Sequence, residues 1–210
     1  MSSSAWTDES LATYFERLGS GEPTPGGGSA ACVAGALGAS LGSMVVAVVS
    51  RKSDALDWAE FASAFQALRD GFLVLAEDDE EAFRVVMAAL RLPKEDPSRS
   101  ARLQAGLKQA ALVPLTAAER AVDLLRRLQT LAPNASDSIV SDVGAGAHLA
   151  LAALRSSLLN VDVNLRALKN PELRALLAQR RREIDEAGSA LCADIARTVS
   201  ARLVPDVQAR

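Results

Sequence analysis

The stretch Glu22-Pro-Thr-Pro-Gly-Gly-Gly-Ser-Ala-Ala-Cys-Val-Ala-Gly-Ala-Leu-Gly-Ala-Ser-Leu-Gly-Ser-Met-Val45 falls into two physically distinct halves. Pro23 to Gly28 is not regular structure, because two prolines restrict their neighbours while three glycines open dihedrals other residues avoid. It is a loop that enters the next helix. From about Ser29 to Ser50 apolar residues run all round, and no charge occurs between Thr24 and Ser50. A helix of that kind is buried. Ala34, Gly38 and Gly42 recur every four residues and line one face, where small side chains let a neighbouring backbone come close.

Such a run is long enough to span a bilayer, and Arg51-Lys52 would make a cytoplasmic flank. Its Gly, Ala and Ser content supplies little transfer energy, so it is read as the central helix of a soluble bundle with no membrane partner. Asp8, Glu9, Glu16 and Glu22 precede it where a signal peptide needs basic residues.

Outward from this core, helical periodicity continues. Thr7-Asp8-Glu9 caps an amphipathic helix through Leu11, Tyr14, Phe15 and Leu18, and Gly19 and Gly21 end it. Asp54 to about Leu92 predicts one long helix or two with a break, stopped by Pro93. Ser98 to about Leu131 follows, with a kink or break expected at Pro114. Ser138 to about Leu168 and Pro171 to about Leu203 complete the chain. The Gln179-Arg-Arg-Arg-Glu183 stretch reads as a solvated face.

The fold class expected is all-α: one domain over 1–210, a bundle of about six to eight helices around a buried Gly/Ala-rich central helix. With 49% hydrophobic but only 4% aromatic residues, the core is built from small and aliphatic side chains, which suits close helix packing. A net charge of −3 with interspersed signs disfavours nucleic acid as a partner. Cys32 and Cys192 are far apart, with no CxxC and no Cys/His cluster. They suggest neither a disulfide framework nor a metal site and fit a reducing cytoplasm.

Several residues carry chemical potential. A glycine-rich turn opening a helix presents free N–H groups that suit a carboxylate or phosphate, and equally serves as a sharp loop for close packing. Asp79 sits in Asp78-Asp-Glu-Glu81, which by itself reads as an exposed acidic face. Asp142 lies in an apolar Gly/Ala/Val/Leu stretch, so it belongs near a helix end or is paired; Ser141-Asp142 also reads as a cap. Asn160 and Asn164, four apart, face one way and could grip a ring or satisfy a neighbouring helix end. His148 is read as structural, and Cys32 as core packing.

Pro-Thr-Pro-Gly-Gly-Gly-Ser-Ala-Ala followed by Gly35-Ala-Leu-Gly-Ala-Ser-Leu-Gly-Ser-Met-Val45 resembles the opening motif of the formiminotetrahydrofolate cyclodeaminase and methenyltetrahydrofolate cyclohydrolase family. The resemblance continues through Asp79-Glu-Glu-Ala-Phe83, Leu92-Pro-Lys94, Val113-Pro-Leu115, Ser141-Asp142-x-Gly144 and Asn160-Val-x-Val-Asn164, and covers nearly the whole chain. It departs where the family has N-x-T-x-G-K-K-x-Y: Ala47, Val49 and Arg51 replace the Asn, Thr and Gly, Lys52 survives, and the tyrosine is absent. Ser136 and Ser138 stand in place of asparagines.

The resemblance implies a homodimeric helical bundle with a folate groove lined by these motifs. Asp79 takes the place of the acid/base aspartate, with Asp142 as its alternative or companion. Pro25, Gly26, Gly27, Gly28, Ser29, Lys52, Ser141, Asn160 and Asn164 are the implied substrate contacts. The implied reaction is hydrolytic opening of 5,10-methenyltetrahydrofolate to 10-formyltetrahydrofolate, with no metal and no cofactor beyond the folate substrate. Its alternatives are cyclodeamination of 5-formiminotetrahydrofolate and a non-catalytic folate-binding dimer.

Overall fold

The structure, a computed structural model, describes residues 9–51 and 56–203. Six α-helices follow in chain order: α1 (Leu11–Leu18), α2 (Gly27–Val49), α3 (Trp58–Arg91), α4 (Arg99–Leu131), α5 (Val140–Ala167) and α6 (Pro171–Leu203), with a short 3-10 turn at Ala132–Asn134. No strand occurs among the described residues. This is the all-α bundle the sequence predicts.

Helices α2 to α5 run alternately up and down, and each packs on the next, with α5 closing back on α2. The seam between α2 and α3 is a fit of glycine to aromatic ring. Gly35 faces Phe72 and Gly42 faces Phe65, seven residues apart on both helices, and a Cβ at Gly35 would come within 2.6 Å of the Phe72 ring. Both rings are fully buried, and each burial stabilises the fold by roughly 2–3 kcal/mol. On the opposite side of α2, a Cβ at Gly38 would lie 2.9 Å from the Gly146 carbonyl oxygen of α5. Gly38 and Gly42 therefore serve different neighbours, although their spacing suggested one face.

Helix α6 lies against α4 and α5. Arg180 reaches Glu119 on α4 at 2.8 Å, and Arg181 reaches Asp162 on α5 at 3.2 Å. The arginine run is thus a set of partly exposed interhelical pairs rather than a purely solvated face, each worth little alone.

Helix boundaries differ from the sequence expectation at three places. Helix α1 is capped by Ser10, whose Oγ accepts the Thr13 N–H at 3.1 Å, while Glu9 is drawn to Arg17; Thr7 and Asp8 lie outside the described residues. Helix α2 begins at Gly27, so two glycines of the triplet are helical. Helix α4 continues through Pro114. Proline has no N–H for the Ala110 carbonyl four residues earlier, and Asn164 Nδ2 on α5 donates to that carbonyl at 2.8 Å instead. The missing bond is replaced from a neighbouring helix, so no break is needed.

Among the described residues α2 alone is long and apolar enough to cross a bilayer, and half of that stretch is buried inside the bundle.

Candidate active site at one end of the bundle

The antiparallel order brings the start of α2, the second half of α3, the first half of α4 and the end of α5 to one end of the bundle. A cavity of about 420 Å³ opens there, bordered by Gly26, Gly27 and Gly28, Asp79, Asn160 and Asn164. Phe83, Val86, Met87, Leu107 and Val163 supply an apolar wall. A cavity of this size, mostly apolar with a few convergent polar groups, suits a small organic ligand. Larger clefts of about 820 and 550 Å³ lie along α3 and α4. The glycine loop, Asp79 and the paired asparagines converge on the smaller one, and chemistry outweighs volume.

Asp79 stands at the N-terminus of α2. Gly26 is the N-cap residue and offers no side-chain acceptor, so the first N–H groups of α2 need one from elsewhere. The Asp79 carboxylate, carried by another helix, takes the Ser29 backbone N–H. Its approach requires glycine at position 28, where any Cβ would overlap the carboxyl group. Burial pushes this carboxyl up from an ordinary 3.8 to about 6; the Ser29 hydrogen bond pulls it down, and the neighbouring Glu80 charge raises it further. An aspartate poised near neutrality can both take and return a proton.

Asn160 Nδ2 donates to the Ser156 carbonyl at 2.9 Å. Asn164 Nδ2 donates to the Ala110 carbonyl and, at 2.9 Å, to the Asn160 carbonyl. Asn164 spends both donors on backbone and Asn160 one of its two, so each side-chain oxygen is available as an acceptor for a ligand's N–H groups. Asn164 thus satisfies a neighbouring helix at Ala110 while bordering the cavity.

Other sequence-derived candidates sit elsewhere. Ser29 and Pro25 are buried behind the glycine loop, and the Thr24–Pro25 peptide bond is cis. Ser141 is exposed and Asp142 half-buried in the first turn of α5. Within that uninterrupted helix Asp142 lies 18 residues from Asn160, about 27 Å at 1.5 Å per residue. Within one chain, Asp142 and Ser141 therefore lie away from the Asp79 cavity. Lys52 lies outside the described residues.

Cys32 is core, as expected, and burial, with Asp79 and Asp78 adding to it, pushes its thiol up to about 12. It is no nucleophile at neutral pH. His148 is on the exposed side of α5, with Nδ1 4.0 Å from Cys192 Sγ.

Sequence reasoning missed Val86, Met87 and Leu107 of the apolar wall and the part played by three polar residues around Asp79. Tyr14, Arg17 and Glu80 converge there from α1 and α3. Tyr14 Oη lies 3.1 Å from Ser29 Oγ, and Arg17 Nη2 lies 3.4 Å from Glu80 Oε2. By periodicity Tyr14 belongs only to an amphipathic face, and nothing in local spacing links α1 to α3.

Known proteins resemble this chain over most of its length. Methenyltetrahydrofolate cyclohydrolase of Methylorubrum extorquens is 35% identical over 186 residues, 85% of this chain and 88% of that protein. Formimidoyltransferase-cyclodeaminase of Rattus norvegicus is also 35% identical, over 76% of this chain but only 31% of its own length. The crystal structure of formiminotetrahydrofolate cyclodeaminase from Thermotoga maritima matches with a TM-score of 0.86 at 25% identity, over 94% of this chain and 99% of that one. Residues 10–183 match the family described as formiminotransferase-cyclodeaminase, and the chain belongs to that family.

Proposed function

We propose that this protein is an enzyme of one-carbon folate chemistry that hydrolyses 5,10-methenyltetrahydrofolate to 10-formyltetrahydrofolate, with Asp79 as its acid/base group. The observation that carries the proposal is a half-buried carboxylate with its pKa raised to about 6, set beside two amide oxygens and an apolar wall. The Methylorubrum cyclohydrolase, matched over most of its length, supports this choice of reaction.

The bound substrate is an amidinium cation whose one-carbon unit bridges two nitrogens. Ionised Asp79 stabilises that cation and removes a proton from the attacking water as the C–O bond forms. The tetrahedral carbon then expels the ring nitrogen, which takes the proton back from Asp79 as the C–N bond breaks. A formyl group remains on the other nitrogen, and one proton is released overall. The Asn160 and Asn164 oxygens accept ring N–H groups, and Phe83 and Met87 cover the flat ring. The reaction requires no cofactor beyond the folate substrate.

A second reading, cyclodeamination of 5-formiminotetrahydrofolate, is favoured by the Thermotoga cyclodeaminase, which this chain covers almost end to end. Chain length therefore does not separate the two reactions. The same aspartate would protonate departing ammonia.

We further infer a cytoplasmic homodimer. Free Cys32 and Cys192 support a reducing compartment. Leu37 and Met44, 50% and 38% exposed on the charge-free helix α2, support a self-association face. Light scattering reads the dimer directly.

The deciding assay follows 5,10-methenyltetrahydrofolate absorbance with wild-type protein, Asp79→Asn and an uncatalysed blank, beside ammonia release from 5-formiminotetrahydrofolate. Accelerated loss abolished in Asp79→Asn supports the hydrolase. Ammonia release alone selects the deaminase, and binding without either reaction selects a folate-binding dimer.

A further inference from the structure

The chemistry assigned to Asp79 leaves its neighbour unused. Glu80 is only 6% exposed, its Oε1 is buried without a hydrogen-bond partner, and its Oε2 meets Arg17 Nη2 at 3.4 Å. A buried carboxylate with one oxygen unsatisfied is costly to the fold. Glu80 nonetheless stands one residue from the proposed acid/base group. Arg17 is itself oriented by Glu9, whose two oxygens each lie 3.1 Å from Nη1.

Helix α1 also meets Ser29, the hydrogen-bond partner of Asp79. Tyr14, buried on the same helix, places its hydroxyl 3.1 Å from Ser29 Oγ, and the backbone N–H of Ser29 is the group bonded to Asp79. One short helix thus holds both the counter-ion of Glu80 and the residue that fixes the amide donor of Asp79.

We propose that α1 is a positioning element for Asp79, in which Arg17 acting through Glu80, and Tyr14 acting through Ser29, set the proton affinity and orientation of the aspartate. The proposal rests on the acid/base assignment of Asp79. Glu80 on α3 acts on that carboxylate directly, and the carboxylate together with Asp78 acts on Cys32 of α2; Arg17 and Tyr14 on α1 couple to Glu80. Cys32 stays protonated, so the adjustable charges are the carboxylates and Arg17. The Glu80 charge holds the proton on Asp79 more tightly, and Arg17 keeps that charge in place by favouring ionised Glu80. Undocking α1 would leave Glu80 protonated to higher pH, and both macroscopic steps of the pair would rise.

The test titrates the side-chain carboxyls by 13C NMR in the full chain, with Asp79→Asn to assign the signal, alongside pH profiles of kcat/KM on 5,10-methenyltetrahydrofolate. Glu80→Gln, which keeps shape and removes charge, should move the Asp79 titration down by about half a pH unit to one unit. Arg17→Met should move both apparent steps of the carboxylate pair up, and Arg17→Lys should restore most of the wild-type behaviour. The acidic limb of kcat/KM should follow in each case.

An unchanged Asp79 titration in Glu80→Gln, or a shift in the same direction in both variants, would overturn the proposal. If Arg17→Met fails to fold, Glu80→Gln decides alone. Titration shifts that the rate profile ignores would instead overturn the acid/base assignment, and with it any catalytic role for α1.

Discussion

Asp79 and Asp142 both stand at the start of a helix, and their fates differ because of which helix each one serves. Asp142 lies in the first turn of its own helix, α5, half-buried where solvent reaches it. Asp79 serves the N-terminus of α2 from the middle of α3, inside the bundle, facing a cavity. Asp142 is not a cap, since α5 is preceded by Ile139 and has no side-chain cap hydrogen bond, and its first-turn place follows from chain direction alone. A cap delivered from another helix brings a carboxylate into the interior, where burial raises its pKa into the range useful for proton transfer.

The comparison breaks most sharply in kinetics. Asp79→Asn should lower kcat on the folate substrate by roughly 10²–10⁴, the usual range for a lost acid/base group, whereas Asp142→Asn should stay within a few-fold. Equal losses in steady-state assays would mean that the two aspartates act in one site after all, contributed by two chains.

Stability should move the opposite way for the same substitution. The folded-state pKa of Asp79, about 6, lies above its ordinary 3.8. Its protonated form therefore favours folding below pH 4, and that advantage is lost as pH rises through 6. At about 1.36 kcal/mol per pH unit, ionisation costs about 3 kcal/mol above pH 6. Asp79→Asn should be more stable than wild type by up to that amount at pH 8, with the gap closing toward pH 4. Urea titrations at both pH values measure it.

Gly28→Ala should cost about 1–3 kcal/mol, because its Cβ collides with the Asp79 carboxyl, and should also depress turnover. The smallest effect is expected at the proline: Asn164→Ala strands the Ala110 carbonyl and should cost about 1–2 kcal/mol. In a Pro114→Ala background the restored N–H should remove most of that loss. A double-mutant cycle by denaturant unfolding gives the coupling directly.

Legibility in the sequence varied in the same way. The glycine loop, Asp79 and the asparagine pair were visible because the motifs that carry them are long, and the structure brings these residues together. Asp142 and Ser141 belong to an equally recognisable motif, yet a straight helix carries them to the other end of the bundle. Tyr14 and Arg17 gave no signal, since each looks like an ordinary member of an amphipathic helix, and Glu80 lies in the Asp79 motif yet reads as part of an exposed acidic face, whereas packing buries it. Pro114 and Asn164 are each conspicuous in the sequence, but only the packing of α5 on α4 shows that one compensates for the other.

By itself the sequence determined the helices and the buried place of α2, because apolar periodicity, caps and small-residue content act within a few turns of chain. The tertiary structure alone decided which carboxylate is buried, which helix it caps and which charges surround it. Those properties depend on distances between residues such as Arg17 and Glu80, 63 positions apart, and burial and field are set by what folding brings near rather than by what adjoins in the chain.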